Sequence, residues 1–258
     1  MIYAAIIILY GLFIWLRDLN WWLYASDTLP ILLAFPIFYR LGEPWKMGDQ
    51  PLSRPFLLLF LACFFLGVIL DMNVLFALGW VFLVKAMPIV EPSPSELTKL
   101  LVIPFFGFPW VSFDANGLGW VFRLTGAEAT AALFSFLNFN VIQEGTQILI
   151  NKLPISVEAA CAGLNTLQTM MILGLTLAYI DLKNSILYWI NIPLLLILSW
   201  IANTLRIILI SAMALYKGID FAMGPLHIWG GLIVILIMFM LAWGLIKLQK
   251  EAICEKSP

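Results

Sequence analysis

Ser-Ile-Leu-Tyr-Trp-Ile-Asn-Ile-Pro-Leu-Leu-Leu-Ile-Leu-Ser-Trp-Ile-Ala-Asn, residues 185–203, decides the fold. No charged side chain interrupts it, and as a helix it is long enough to cross a hydrocarbon layer roughly 30 Å thick. Runs of the same kind recur on both sides of it, at Ile2–Leu16, Trp21–Tyr39, Pro55–Leu70, Asn73–Val90, Ser156–Ile180 and Leu226–Ile246. Two weaker stretches lie between Leu97 and Leu137. Leu97–Phe113 carries Pro104 and Pro109, whereas Gly117–Leu137 carries Arg123 and Glu128. Charged groups at the centre of a bilayer are costly, so Leu97–Phe113 reads as the crossing. Gly117–Leu137, rich in Ala and Thr, reads as an amphipathic helix at the outer surface. The expected fold is an all-α polytopic membrane protein of about eight transmembrane helices, with both termini on one side.

Composition agrees with that class. Hydrophobic residues make up 63% of the chain and charged residues 11%, and the mean hydropathy is +1.00. These values lie outside the range of soluble domains. A secretory leader ahead of a soluble domain is excluded, because the hydrophobicity never stops. The net charge of −1 and the lack of a basic patch argue against nucleic acid as a partner. Cys63, Cys161 and Cys254 form no even framework, which argues against a structural disulfide. Along the chain, residues 1–96 read as an amino-terminal four-helix transmembrane region. Residues 97–258 carry the chemistry.

Charge asymmetry sets the expected orientation. With the termini inside, the inner loops and tail collect Arg40, Lys46, Arg54, Lys85, Lys99, Lys183, Lys247, Lys250 and Lys256. The outer side keeps Arg17, Arg123, Lys152, Arg206 and Lys217. An excess of Lys and Arg in cytoplasmic loops marks cytoplasmic termini. Tyr179, Tyr188 and Trp189 flank the Asp181–Asn184 turn as an interfacial belt.

One stretch, Asn138–Val157, breaks the apolar pattern. A Glu144-Gly145 turn signal between β-branched segments predicts a small extracytoplasmic β-ribbon. It leads into Val157-Glu158-Ala159-Ala160-Cys161-Ala162-Gly163, which places Cys161 at the entry of a transmembrane helix. From there the chain crosses, turns at Asp181–Asn184 and returns. Arg206 lies about 22 residues beyond that turn, roughly 33 Å of helix, back at the outer boundary. Ile186–Tyr216 would be about 46 Å long as one straight helix, with a bend or protrusion expected near Asn203. The chain re-enters at Pro225, a good first-turn residue, with His227 just behind it.

Cys161, Arg206 and His227, the single histidine of the chain, therefore meet one face at similar depth. Taken singly, each has an ordinary reading: a small apolar filler, a cation reaching for headgroups, a satisfied polar group. Likewise, Gly163, Gly230 and Gly231 serve close helix packing. Brought together, the three side chains can form an acyl-transfer centre. The thiol attacks, the imidazole moves protons and the guanidinium stabilises negative charge.

Cys161-Ala162-Gly163-Leu164, Asn203-Thr204-Leu205-Arg206-Ile207 and His227 with its following glycines stand in an order that resembles the exosortase/archaeosortase family of membrane-embedded cysteine transpeptidases. The resemblance covers roughly Leu97 to Ile246. Ala162 departs from it, since serine is usual there. The resemblance implies a substrate, namely an exported protein whose carboxy terminus carries a short motif (Pro-Glu-Pro in the best known group), one transmembrane helix and a basic cluster. Catalysis would fall to Cys161, Arg206 and His227. Asn203, Glu158, Asn165 and Gly163 would support them or bind substrate. A lipid or glycan acceptor would resolve the acyl-enzyme, with no metal or cofactor, on the extracytoplasmic face of the cell membrane. A different class of reading is a transporter or assembly factor that binds tailed proteins or an anion without catalysis. Transport needs polar groups at the bilayer midplane, and most spans here are apolar there.

Overall fold

The computed structural model describes residues 2–19, 29–157 and 163–254. The chain folds as two compact units, Met1–Ala115 with Met171–Ile192, and Asn116–Met170 with Pro193–Pro258.

In the first unit, helices α1 (Ile2–Leu16), α2 (Leu29–Leu41), α3 (Arg54–Leu70) and α4 (Asn73–Ala86) are followed by α5 (Pro94–Leu100), α6 (Val102–Phe106) and α7 (Trp110–Asp114). Two short strands, β1 (Lys46–Met47) and β2 (Ile89–Glu91), pair antiparallel. Ile14, Phe76, Trp80, Leu97, Leu101 and Phe108 are buried together. Within that core Phe35 meets Phe108 edge-on at 5.0 Å, and Trp80 meets Phe108 at 5.4 Å.

Polar clusters close both ends of α4. At its start, Arg17 donates to Asn73 Oδ1 at 2.7 Å and pairs with Asp71, while Asn73 Nδ2 donates to Asp114 at 3.3 Å. At its end, Lys85 donates to Thr98 Oγ1 at 3.1 Å. Close to that end in sequence, Lys183 pairs with Glu96 at 2.8 Å, and the buried Lys99 caps the carbonyls of Lys183 and Ser185. The Lys183 ammonium holds the Glu96 carboxyl below the usual carboxylate range, against the opposing effect of burial.

The stretch Leu97–Phe113 thus runs the length of α4, from Thr98 beside Lys85 to Asp114 beside Asn73. Expected as a crossing, it is built of three short helices. Pro104 and Pro109 remove N–H donors and crowd the preceding turn, which ends a helix. Irregular backbone is tolerated at membrane depth where protein buries it and its polar groups find partners. Both conditions hold. Ile103, Pro104, Gly107, Phe108 and Val111 are buried. Trp15 Nε1 donates to the Gly107 carbonyl at 3.3 Å and Trp110 Nε1 to that of Phe105 at 2.8 Å.

The second unit holds α8 (Asn116–Phe136), three strands, the opening of α9 (Leu164–Leu182), most of α10 (Leu187–Lys217), and α11 (Ile219–Met223) and α12 (Pro225–Cys254). Helix α8 buries Gly119, Phe122, Gly126, Ala127, Thr130, Ala131 and Phe134, a single helical face. The expected ribbon is present, with a third strand. Strands β3 (Val141–Glu144), β4 (Gln147–Ile150) and β5 (Leu153–Ser156) form an antiparallel meander. Gly145, at φ 61, makes the first two-residue turn. Asn151 and Lys152, at φ 48 and 69, make the second, which matches a type I′ hairpin. Ile148, Ile150 and Val157 pack against Ala127, Ala131 and Phe134 of α8 and Ile207 of α10.

Among the described residues two helices are long and apolar enough to cross a membrane, Leu187–Lys217 and Trp229–Ile253. Shorter apolar helices are Ile2–Leu16, Ile31–Leu41, Arg54–Leu70 and Asn73–Ala86. Large apolar side chains stand exposed along these helices, among them Ile69, Leu236, Ile237 and Leu248. Water does not tolerate apolar surface on that scale, and lipid does. The chain is a helical membrane protein with few strands.

Candidate active site

The candidate site is framed by three glycines around one turn of α10. Val157 is buried and its N–H donates to the Thr146 carbonyl at 3.0 Å, which ties the end of the ribbon. Gly163 is buried as well, at φ 74, and its carbonyl accepts the first helical hydrogen bond of α9 from Leu167 at 2.8 Å. Glu158, Cys161 and Ala162 fall between these two anchors and lie outside the described residues.

Asn203 packs on Gly163. A Cβ added to that glycine would stand 2.6 Å from Asn203 Cγ and 2.8 Å from Oδ1, closer than atoms approach. The left-handed φ independently favours glycine. Asn203 is 1% exposed, and neither its Nδ2 nor its Oδ1 has a hydrogen-bond partner among the described residues. An unmet buried polar group costs about 1–3 kcal/mol.

Arg206 follows on the same face of α10, three residues on. It is half-buried and lies against Gly231 of α12, where an added Cβ would be 3.1 Å from Nε and 3.3 Å from Cζ. Residue 227 is four positions before Gly231, one turn away on the same helical face. The side chain of His227 lies outside the described residues. Pro225 opens α12, as its place in the sequence predicts. Helix α10 continues as helix through Asn203.

Asn165 sits in the first turn of α9 and is half-buried. Beside it, Thr166 and Gln168 are buried. Gln168 and Gly126 belong to none of the motifs in the sequence, and Thr204 enters only as a spacer between Asn203 and Arg206. Gly126 of α8 meets Thr204 and Ile207, with an added Cβ 2.8 Å from Ile207 Cδ1 and 3.6 Å from Thr204 Oγ1. The signal for that contact was a small residue in α8 opposite a small polar one, weak without the structure. Among the described residues no three His, Cys, Asp or Glu side chains gather as a metal-binding group.

The turn that carries Asn203 and Arg206 is therefore held between Gly163, two residues after Cys161, and Gly231, four residues after His227. A family model described as transmembrane exosortase matches residues 3–244. No curated protein and no solved structure matches the chain. The family match extends well before Leu97, where the motif-based resemblance began. In the amino-terminal spans the motifs are absent, and only hydrophobicity was available to read.

Proposed function

Because the chain belongs to the transmembrane exosortase family, we propose that it is a membrane cysteine transpeptidase that removes the carboxy-terminal sorting signal of exported proteins. The substrate's tail is a short motif, a transmembrane helix and a basic cluster. Its helix docks laterally in the bilayer and brings the motif to the depth of Cys161. The Cys161 thiolate attacks the scissile carbonyl, the membrane tail leaves as an amine, and an acyl-enzyme remains. His227 takes the thiol proton and returns it to the leaving nitrogen. Arg206 supplies fixed positive charge near the reacting atoms, either to the thiolate or to the oxyanion. An amine or hydroxyl of a lipid or glycan then resolves the acyl-enzyme. The protein crosses the cell membrane about eight times, with both termini cytoplasmic and the site on the extracytoplasmic face.

The observation that carries this reading is the Asn203–Arg206 turn lodged between the two glycines that neighbour Cys161 and His227 in sequence. Gly163 follows Cys161 by two residues and Gly231 follows His227 by four. Cys161→Ala removes the nucleophile and little volume, so it should abolish processing of a tailed protein while the variant still folds and inserts. Cys63→Ala and Cys254→Ala should process at the parent rate. A Cys161→Ala enzyme that still shortens its substrate would overturn covalent catalysis by this thiol.

A further inference from the structure

Two asparagines of α10 behave differently. Asn191 turns its Nδ2 back onto the Leu187 carbonyl at 2.8 Å, the usual way for a polar side chain to satisfy itself inside an apolar helix. Ser199 does the same onto Leu195 at 2.6 Å. Asn203 does not. Its amide is turned onto Gly163, buried, with donor and acceptor both unmet among the described residues. The glycine that lets it lie there has a positive φ and stands two residues from Cys161. A buried donor without a partner among the described residues, aimed at a backbone two residues along the chain from the nucleophile of the proposed reaction, is the arrangement that stabilises charge developing on a carbonyl oxygen.

We propose that Asn203 is a catalytic residue whose Nδ2–H donates to the scissile carbonyl oxygen as it becomes an oxyanion. The proposal rests on the acyl-transfer reading above and assigns the oxyanion to Asn203, which leaves Arg206 to act on the thiolate. In the step itself the Cys161 Sγ–C bond forms and the carbonyl π pair moves onto oxygen, where Nδ2 meets it. Collapse of the oxyanion breaks the C–N bond, and the leaving nitrogen takes the proton that His227 had received from the thiol. The unmet Oδ1 can accept an N–H of the same extended peptide.

The test uses two small probes on the full chain in detergent, with Cys63→Ala and Cys254→Ala in the background so that Cys161 is the reacting thiol. p-Nitrophenyl acetate acylates a thiolate through an oxyanion: the S–C bond forms, the C–O bond breaks and p-nitrophenolate leaves. Iodoacetamide alkylates the same thiolate by displacing iodide, with no oxyanion. Asn203→Ala and the near-isosteric, uncharged Asn203→Leu should each slow acylation about 10²-fold and leave alkylation within about two-fold of the parent. If both rates fall together, Asn203 positions the thiol's segment and the proposal fails. It fails also if acylation is unchanged in either variant. If Cys161→Ala is acylated as fast as the parent, the covalent reading itself is wrong and the proposal falls with it.

Discussion

Gly163 and Gly231 press on neighbouring residues of α10, yet replacing each with alanine should have different consequences. At Gly163 an added Cβ meets Asn203 at 2.6 Å and sits on a φ of 74. The left-handed conformation alone costs roughly 1–2 kcal/mol for a non-glycine residue. Gly163→Ala should therefore lower the thermal midpoint in detergent and abolish processing together. At Gly231 the neighbour is the flexible Arg206 side chain at 3.1 Å, and the backbone is helical. Gly231→Ala should keep the parent's midpoint yet lose roughly ten-fold or more in turnover, because the guanidinium must shift. Parent-like turnover in Gly231→Ala would remove that contact from the working site. Cys161, Arg206 and His227 were conspicuous in the sequence because reactive or charged side chains are rare in an apolar chain. Gly126 and Thr204 were not, because a small residue opposite a small polar one looks like ordinary packing until the two helices are seen to touch.

The stretch from Leu97 to Phe113 shows what periodicity can and cannot convey about an element. Its length and apolar content announce a crossing, and its prolines announce an interruption. The means by which the interruption is tolerated is hidden, because the indole that serves the Gly107 carbonyl comes from Trp15, 92 residues earlier. Trp15→Phe or Trp110→Phe keeps an aromatic ring and removes the donor. Each should cost about 1 kcal/mol, read as a lowered unfolding midpoint in detergent. Trp120→Phe, on the exposed side of α8, should unfold like the parent. Equal midpoints for all three would show that the freed carbonyls find other partners. The β-ribbon was legible for the converse reason, since its Gly145 turn is written locally. The second turn, at Asn151-Lys152, escaped notice because lysine seldom adopts a positive φ.

At the scale of the whole molecule, the orientation read from lysine and arginine has a direct check. Cysteine labelling from either side of intact cells should place position 145 outside and position 250 inside. Labelling of both from one side would dismantle the shared-face arrangement of residues 161, 206 and 227. The family match over residues 3–244 draws the amino-terminal spans into the same protein family, which hydrophobicity alone could not do. Helix α12 adds a consequence of its own. Its apolar stretch Trp229–Ile253 is 25 residues long, about 37 Å of helix against a hydrocarbon layer of roughly 30 Å. Such a helix leans, and the lean is adjustable: a thicker bilayer lets it stand up and a thinner one tips it further. Residue 227 stands just ahead of that stretch in sequence, so under the proposed mechanism membrane thickness would set the depth at which proton transfer takes place. Reconstitution in phosphatidylcholines of increasing chain length should change turnover smoothly while the protein stays folded. A turnover indifferent to chain length would mean that α12 is held at fixed depth by its protein neighbours. If turnover does vary, lipid composition acts as a rheostat on the enzyme, with no ligand bound and no residue changed.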